Sequence, residues 1–363
     1  MNIRRRELAL GLTAAALVSP CVSRARADTG LDGSLDGGVD GPLLARVDPE
    51  LRAGARAILS RPTPVWTKDQ LSALRATPSI AAPLSGGAVS VERRFTPGRP
   101  GHPDVAFELI GNREGRRNRP AIVHIHGGGF ILGRASDATA LCQGLASEFD
   151  CVVVNVDYRL APETPFPGPM EDCYAVLAWV HAQAEVLGVD PGRVAIMGAS
   201  AGGGLAAMVA IAARDRGDAP LCYQVLIYPM LDDRTGSSVP APPFIGTILW
   251  TPAGNRFGWT SFLGVAAGSS EVPYGAAPAR VNEVGGLAPA FIGVGGLDLF
   301  VDEDIQYARR LVAAGVPTRF HLTPGAYHGF DFIAPQAQVS REFTAAWKAG
   351  LRAAFAPSTT EAG

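Results

Sequence analysis

Short apolar runs recur along the chain with helix-length amphipathic segments between them. Ala121–His126, Cys151–Val156, Arg193–Ala199, Leu221–Tyr228 and Ala290–Val294 read as strands buried on both faces. Thr318–Leu322 adds a strand with mixed alternation. The intervening stretches Ala138–Glu148, Met170–Leu187, Leu205–Arg214, Glu303–Ala314 and Gln338–Ala353 read as helices. Ahead of them, Val89–Phe95 and Val105–Ile110 flank a Pro/Gly-rich turn and predict an antiparallel pair. Strands alternating with helices imply an α/β fold with a mostly parallel sheet covered on both faces. The pattern lapses at residues 233–285, which are rich in Pro and Gly and carry Phe244, Trp250, Phe257, Trp259 and Phe262. They predict an insertion outside the sheet.

The N-terminal region has a different texture. Arg4-Arg5-Arg6 precede a short apolar run, Leu8–Val18, and Ala25-Arg26-Ala27 offers small residues at a cleavage point. Residues 1–27 therefore read as an export signal, with Arg5-Arg6 similar to a twin-arginine leader and a periplasmic destination. The run is too short to span a bilayer. Cys21 invites lipidation, but Pro20 stands before it where a lipid-attachment signal has a small residue. Residues 28–46 are largely Gly and Asp and read as a linker. A calcium loop starting at Asp32 would need Glu at its twelfth position, where Leu43 stands. Two helices are expected over residues 47–85. One opens at Asp48-Pro49-Glu50; the other opens at the capping box Thr67-Lys68-Asp69-Gln70. They precede the sheet and are expected to form a separate lid ahead of a domain over residues 86–356.

Composition narrows the classes. The chain has 363 residues, 47% hydrophobic and 18% charged, with a formal net charge of −2. That near-neutral balance gives no basis for a nucleic-acid partner. The five cysteines, Cys21, Cys142, Cys151, Cys173 and Cys222, match no zinc or redox spacing. Cys142 and Cys151 are either a close pair or small buried hydrophobes. No metal and no cofactor is called for.

The chemistry concentrates at strand ends. Gly198-Ala199-Ser200-Ala201-Gly202 is a G-x-S-x-G between a strand and a helix. A serine on that corner projects its hydroxyl beyond the sheet, and the glycines let neighbouring backbone pass. A Gly-rich turn with an incidental serine is the simpler account, but three glycines opening a helix each cost about 1 kcal/mol of propensity. A serine nucleophile needs a base, an acid that orients the base, and oxyanion donors. Only His321 and His328 follow Ser200. His321 lies inside a strand and reads as structural; His328 lies in the loop beyond it and is the expected base. Asp298, just past the strand Ala290–Val294, is the expected acid. Asp302 and Asp304 are its rivals, but acidic residues at a helix start are explained by the dipole alone. His126-Gly127-Gly128-Gly129 follows another strand, and successive glycines there can turn their amides into one cavity.

Taken together, these motifs resemble the hormone-sensitive-lipase-like group of α/β-hydrolases, over about residues 48–355. The matching pieces are H-G-G-G-F at 126–130, D-Y-R-L-A-P-E at 157–163, F-P at 166–167, E-D at 171–172, G-A-S-A-G at 198–202, L-D-L-F-V-D-E at 297–303 and Y-H-G-F at 327–330. The resemblance implies an α/β-hydrolase fold with a helical cap and cofactor-free hydrolysis of a small carboxylic ester. It places the nucleophile at Ser200, the acid at Asp298, the base at His328 and the oxyanion donors at Gly128, Gly129 and Ala201. Ala199 stands where the family usually has Asp or Thr, and Leu299 where it usually has Pro. Asp157, Arg159 and Glu163 read as a charge network beside the H-G-G-G turn. An acetylated sugar, an amide or a carbamate is the alternative substrate, and a non-catalytic binding protein on the same fold the alternative role.

Overall fold

The computed structural model describes residues 41–76 and 89–357. The expected export signal with Cys21, and residues 28–40 of the linker, lie outside them. Eight strands form one sheet in the order β1-β2-β4-β3-β5-β6-β7-β8. They are β1 Val91–Thr96, β2 Val105–Ile110, β3 Arg119–Ile125, β4 Val152–Asp157, β5 Val189–Ala199, β6 Tyr223–Ile227, β7 Ala290–Gly295 and β8 Thr318–Thr323. β1 and β2 pair antiparallel, as do β2 and β4; every pair from β4 to β8 is parallel. Charged Glu92, Arg93 and Arg94 on β1 mark one edge of the sheet, where charge discourages further pairing.

The period-two alternation of the central strands splits the core in two. Val152, Val154 and Val156 of β4 and Val194 and Ile196 of β5 share one cluster. Helices α5 Gly168–Ala182, α7 Ala201–Arg216 and α9 Val301–Ala313 cover that face with Val176, Leu205 and Tyr307. Cys151, Val153, Ala195 and Met197 point the other way, against α4 Thr139–Glu148 and α11 Gln338–Phe355. A sheet with both faces covered is what the continuous apolar runs require.

Two expectations are revised. The single helix expected over Met170–Leu187 is two, α5 and the short α6 Ala184–Leu187. Ala184 and Leu187 are both buried, and the break at Gln183 lets both reach the core. Pro42–Arg46, assigned to the linker on composition, is the helix α1, because Leu44 and Val47 are buried in the second cluster. Between the His328 loop and Gln338, where no element was predicted, lies a short helix, α10 Phe330–Ile333. The remaining N-terminal helices are α2 Arg52–Leu59 and α3 Lys68–Ala76, and the insertion between β6 and β7 holds α8 Pro252–Leu263. Among the described residues no helix is long and apolar enough to cross a membrane.

Candidate active site

The parallel strands deliver their loops to one end of the sheet. β5 runs directly into Ser200, which sits at φ +58, ψ −124 as the residue before α7. Such a conformation costs a non-glycine residue about 1–3 kcal/mol and persists only where surroundings over-determine it. Here Ser200 N–H donates to Ile227 O at 2.9 Å, and Ser200 O accepts from Gly204 and Met230 N–H at 3.0 Å each. The glycines permit the crowding. A Cβ on Gly202 would lie 2.2 Å from Ile125 O, and one on Gly198 would lie 2.3 Å from Gly202 O.

β7 leads to Asp298, three residues past its end, and β8 leads to His328. His328 Nε2 is 2.9 Å from Ser200 Oγ, and His328 Nδ1 is 2.8 Å from Asp298 Oδ2. Asp298 is fully buried, and its second oxygen accepts from Phe300 N–H at 3.0 Å. Residues far apart in sequence thus form one hydrogen-bonded chain. Of the rivals, Asp302 is tied to Gln306 on the exposed start of α9. Asp304 is fully buried, and burial pushes its carboxyl well up, toward the neutral form. His321 stays on β8, packed against Phe343.

β3 delivers the glycine loop. Gly128 sits at φ +120, and its carbonyl accepts from Ile131 and Leu132 N–H at 3.1 and 2.9 Å, closing a tight turn. His126 braces that turn: its Nδ1 is 2.8 Å from Gly127 O and its ring stacks on Tyr158 at 4.2 Å. Burial lowers its pKa, so the brace is a neutral imidazole. Ala201 opens α7, where the helix N-terminus favours negative charge.

Asp157, Arg159 and Glu163 do not form a network with one another. Asp157 pairs with Arg93 and accepts from Ala135 N–H, Arg159 pairs with buried Asp172, and Glu163 pairs with Arg75. Arg75, on α3, also donates to Ile131 O and Ala161 O, so it ties the segment after the glycine loop to the loop of the triplet. Cys142, Cys151, Cys173 and Cys222 are free thiols. Burial pushes Cys151 up to about 12, so it carries no reactive thiolate at neutral pH.

The aromatics of the cap segments, Trp66, Phe244, Trp250, Phe257 and Trp259, were expected to close a lid over a small pocket; which of them touch, and the rings against His328, were not legible in sequence. Trp250 packs on the glycine loop so closely that a Cβ on Gly129 would meet its ring at 2.3 Å. Trp66 lies edge-on to Trp250 at 5.6 Å and stacked on Phe257 at 6.4 Å. Trp250 Nε1 donates to buried Asn255 Oδ1 at 3.1 Å, and Asn255 donates to Thr235 O. The N-terminal segment and the insertion therefore meet beside the site. Tyr228 and Phe300 lie against the His328 ring. Their one sequence signal is position at or just past a strand end.

Fold and site together define the class, an α/β-hydrolase. A family profile described as the alpha/beta hydrolase fold matches residues 122–332. Esterase LipI of Mycobacterium tuberculosis is 37% identical over 229 residues, covering 62% of this chain and 70% of that protein. Carboxylesterase NlhH of the same species is 34% identical over 271 residues, covering 73% and 83%. Among solved structures, a bacterial heroin esterase superposes with a TM-score of 0.76 at 36% identity, over 86% of this chain and 99% of that one. The chain belongs to the hormone-sensitive-lipase-like family of α/β-hydrolases and is a hydrolase of that family.

Proposed function

We propose that this chain is a serine carboxylesterase for small soluble esters, with Ser200 as nucleophile, His328 as base and Asp298 as the orienting acid. The observation that carries this is the continuous chain Ser200 Oγ to His328 Nε2 to His328 Nδ1 to Asp298 Oδ2, at 2.9 and 2.8 Å, ending on a fully buried carboxylate. His328 takes the Ser200 proton as Oγ attacks the ester carbonyl. The Asp298 carboxylate holds Nδ1 as the protonated nitrogen, which leaves Nε2 free to accept. The amides of Gly128, Gly129 and Ala201 hold the oxyanion, each worth about 3 kcal/mol in the transition state. His328 then protonates the leaving alcohol and activates the water that releases the acid. Trp250 beside Gly129 keeps the donors in an apolar surround, where their hydrogen bonds are stronger.

The same aromatic wall supports a short acyl group. Each methylene adds about 0.8 kcal/mol while it can be buried, so rates should rise with acyl length and fall beyond roughly two to eight carbons, once the space is filled. The test is an aryl-ester series from acetyl to palmitoyl, with wild type and Ser200→Ala side by side. We expect a short-chain maximum and about 10⁶-fold lower kcat in the variant. A maximum at palmitoyl with a jump at an emulsion surface would overturn the short-chain assignment; an active Ser200→Ala would overturn the nucleophile.

Export on residues 1–27 is proposed from their sequence alone. Mass analysis of the periplasmic protein should show a chain starting close to Asp28. A cytoplasmic chain retaining Met1 would refute it, and a lipid on Cys21 would correct it.

A further inference from the structure

His328 is held by more than its two nitrogens. The Tyr228 ring lies 4.8 Å from the imidazole at 64°, and the Phe300 ring lies 5.2 Å away at 88°. Phe300 is tied to the acid, since its N–H donates to Asp298 Oδ1. Tyr228 is tied elsewhere: its hydroxyl donates to Asp331 Oδ1 at 2.9 Å, in the short helix that follows His328. Tyr228 is buried and sits at φ +33, a region that bulky residues rarely adopt. Its N–H donates to Gly293 O at 2.6 Å, while the residue before it, Ile227, accepts from Ser200 N–H. The strained residue thus lies between the elbow backbone and the imidazole. Strain of this kind persists where a side chain must be aimed.

A hydrogen bond at Nδ1 sets one direction for an imidazole but leaves rotation about that bond. A ring packed against the imidazole removes that freedom. The ring must itself be fixed, and the hydroxyl bond to Asp331 does this from the segment that carries His328. We propose that Tyr228 and Asp331 form one positioning unit that keeps His328 Nε2 on Ser200 Oγ. The inference rests on His328 as the base of the reaction proposed above. Neither residue touches the reacting atoms.

The test uses the full chain and a short-acyl aryl ester. Tyr228→Phe keeps the ring and removes only the hydroxyl; Asp331→Ala removes the acceptor. Each is expected to lower kcat about tenfold with KM changed less than about twofold, because positioning acts on the transition state. The double variant should lose no more than either single one, because the two residues share one bond. Asp331→Asn retains an acceptor oxygen and should return kcat to within about threefold of wild type. A merely structural pair would move the unfolding midpoint without this rescue in kcat. Wild-type kcat in both Tyr228→Phe and Asp331→Ala, losses that multiply in the double variant, or Asp331→Asn as impaired as Asp331→Ala would each overturn the proposal. If Asp331→Ala does not fold, Tyr228→Phe and Asp331→Asn decide alone. His328→Ala serves as the control: full activity there would overturn the base assignment and this inference together. An inactive His328→Ala beside fully active Tyr228→Phe and Asp331→Ala would overturn this inference only.

Discussion

Exchanging His328 for Ala or Asp298 for Asn is expected to lower kcat about 10⁴-fold or more, because each breaks the chain that ends on Ser200 Oγ. His321→Ala and Asp302→Asn should leave kcat within about threefold, since His321 packs on Phe343 and Asp302 bonds Gln306 on the exposed start of α9. Steady-state kinetics of the four variants on one aryl ester check this. A greater loss in Asp302→Asn than in Asp298→Asn would move the acid assignment. At this scale the candidate triad was legible, because chain order and strand-end position do not depend on packing. Asp304 was not. Its place in the first turn of α9 was explained by the helix dipole alone, a reading silent on burial, and the helix rotation buries it completely.

Elements decide what surrounds those residues. Trp250 reaches Gly129 because the insertion folds back over the glycine loop and Asn255, in α8, fixes the indole. Trp250→Ala is expected to move the preferred acyl chain longer by about two carbons. The opened space buries further methylenes at about 0.8 kcal/mol each, or about fourfold in kcat/KM per carbon. The aryl-ester profile of the variant measures the shift, and an unchanged maximum would remove Trp250 from the acyl wall. The aromatics of the insertion were visible in sequence as an off-pattern cluster. So was Trp66 of the N-terminal segment, but its contact with Trp250 and Phe257 was not, because nothing in either segment's periodicity specifies contact with the other.

At the scale of the whole molecule, a buried base in the sheet makes stability depend on pH. His124 of β3 is bonded through Nδ1 to Asn155 Oδ1 of β4 at 2.8 Å, and burial lowers its pKa to about 4. In the unfolded chain the imidazole titrates near ~6.5. Above that pH both states are neutral and the native state has its full stability. As pH falls toward 4 the unfolded chain alone gains the proton, so stability drops by about 3 kcal/mol over the window. Burial lowers the pKa of His126 as well, which acts in the same direction. Buried Glu303 and Asp304, whose carboxyls burial pushes up, act in the opposite direction, so His124 is read from the difference: between pH 7 and 4 the urea midpoint of wild type should fall relative to that of His124→Asn, which keeps a donor for Asn155. Equal slopes in the two proteins would show that His124 is not the group responsible.

The sequence alone determined the alternation of strand and helix, hence a parallel sheet, and with it the end of the sheet where chemistry gathers. It also determined Ser200, Asp298, His328 and the glycine loop as candidates, because an elbow, a strand end and a run of glycines are local devices whose meaning lies in a few consecutive residues. Tertiary structure decided what local pattern cannot encode. It paired Asp157, Arg159 and Glu163 with Arg93, Asp172 and Arg75 rather than with one another, since ion pairs form between whichever side chains packing brings within reach. It turned Pro42–Arg46 from linker into helix, because Leu44 gains burial only when the rest of the core is there to receive it. And it placed Tyr228, Phe300 and Trp250 around the site, where ring contacts depend on the distance between loops that are remote in the chain.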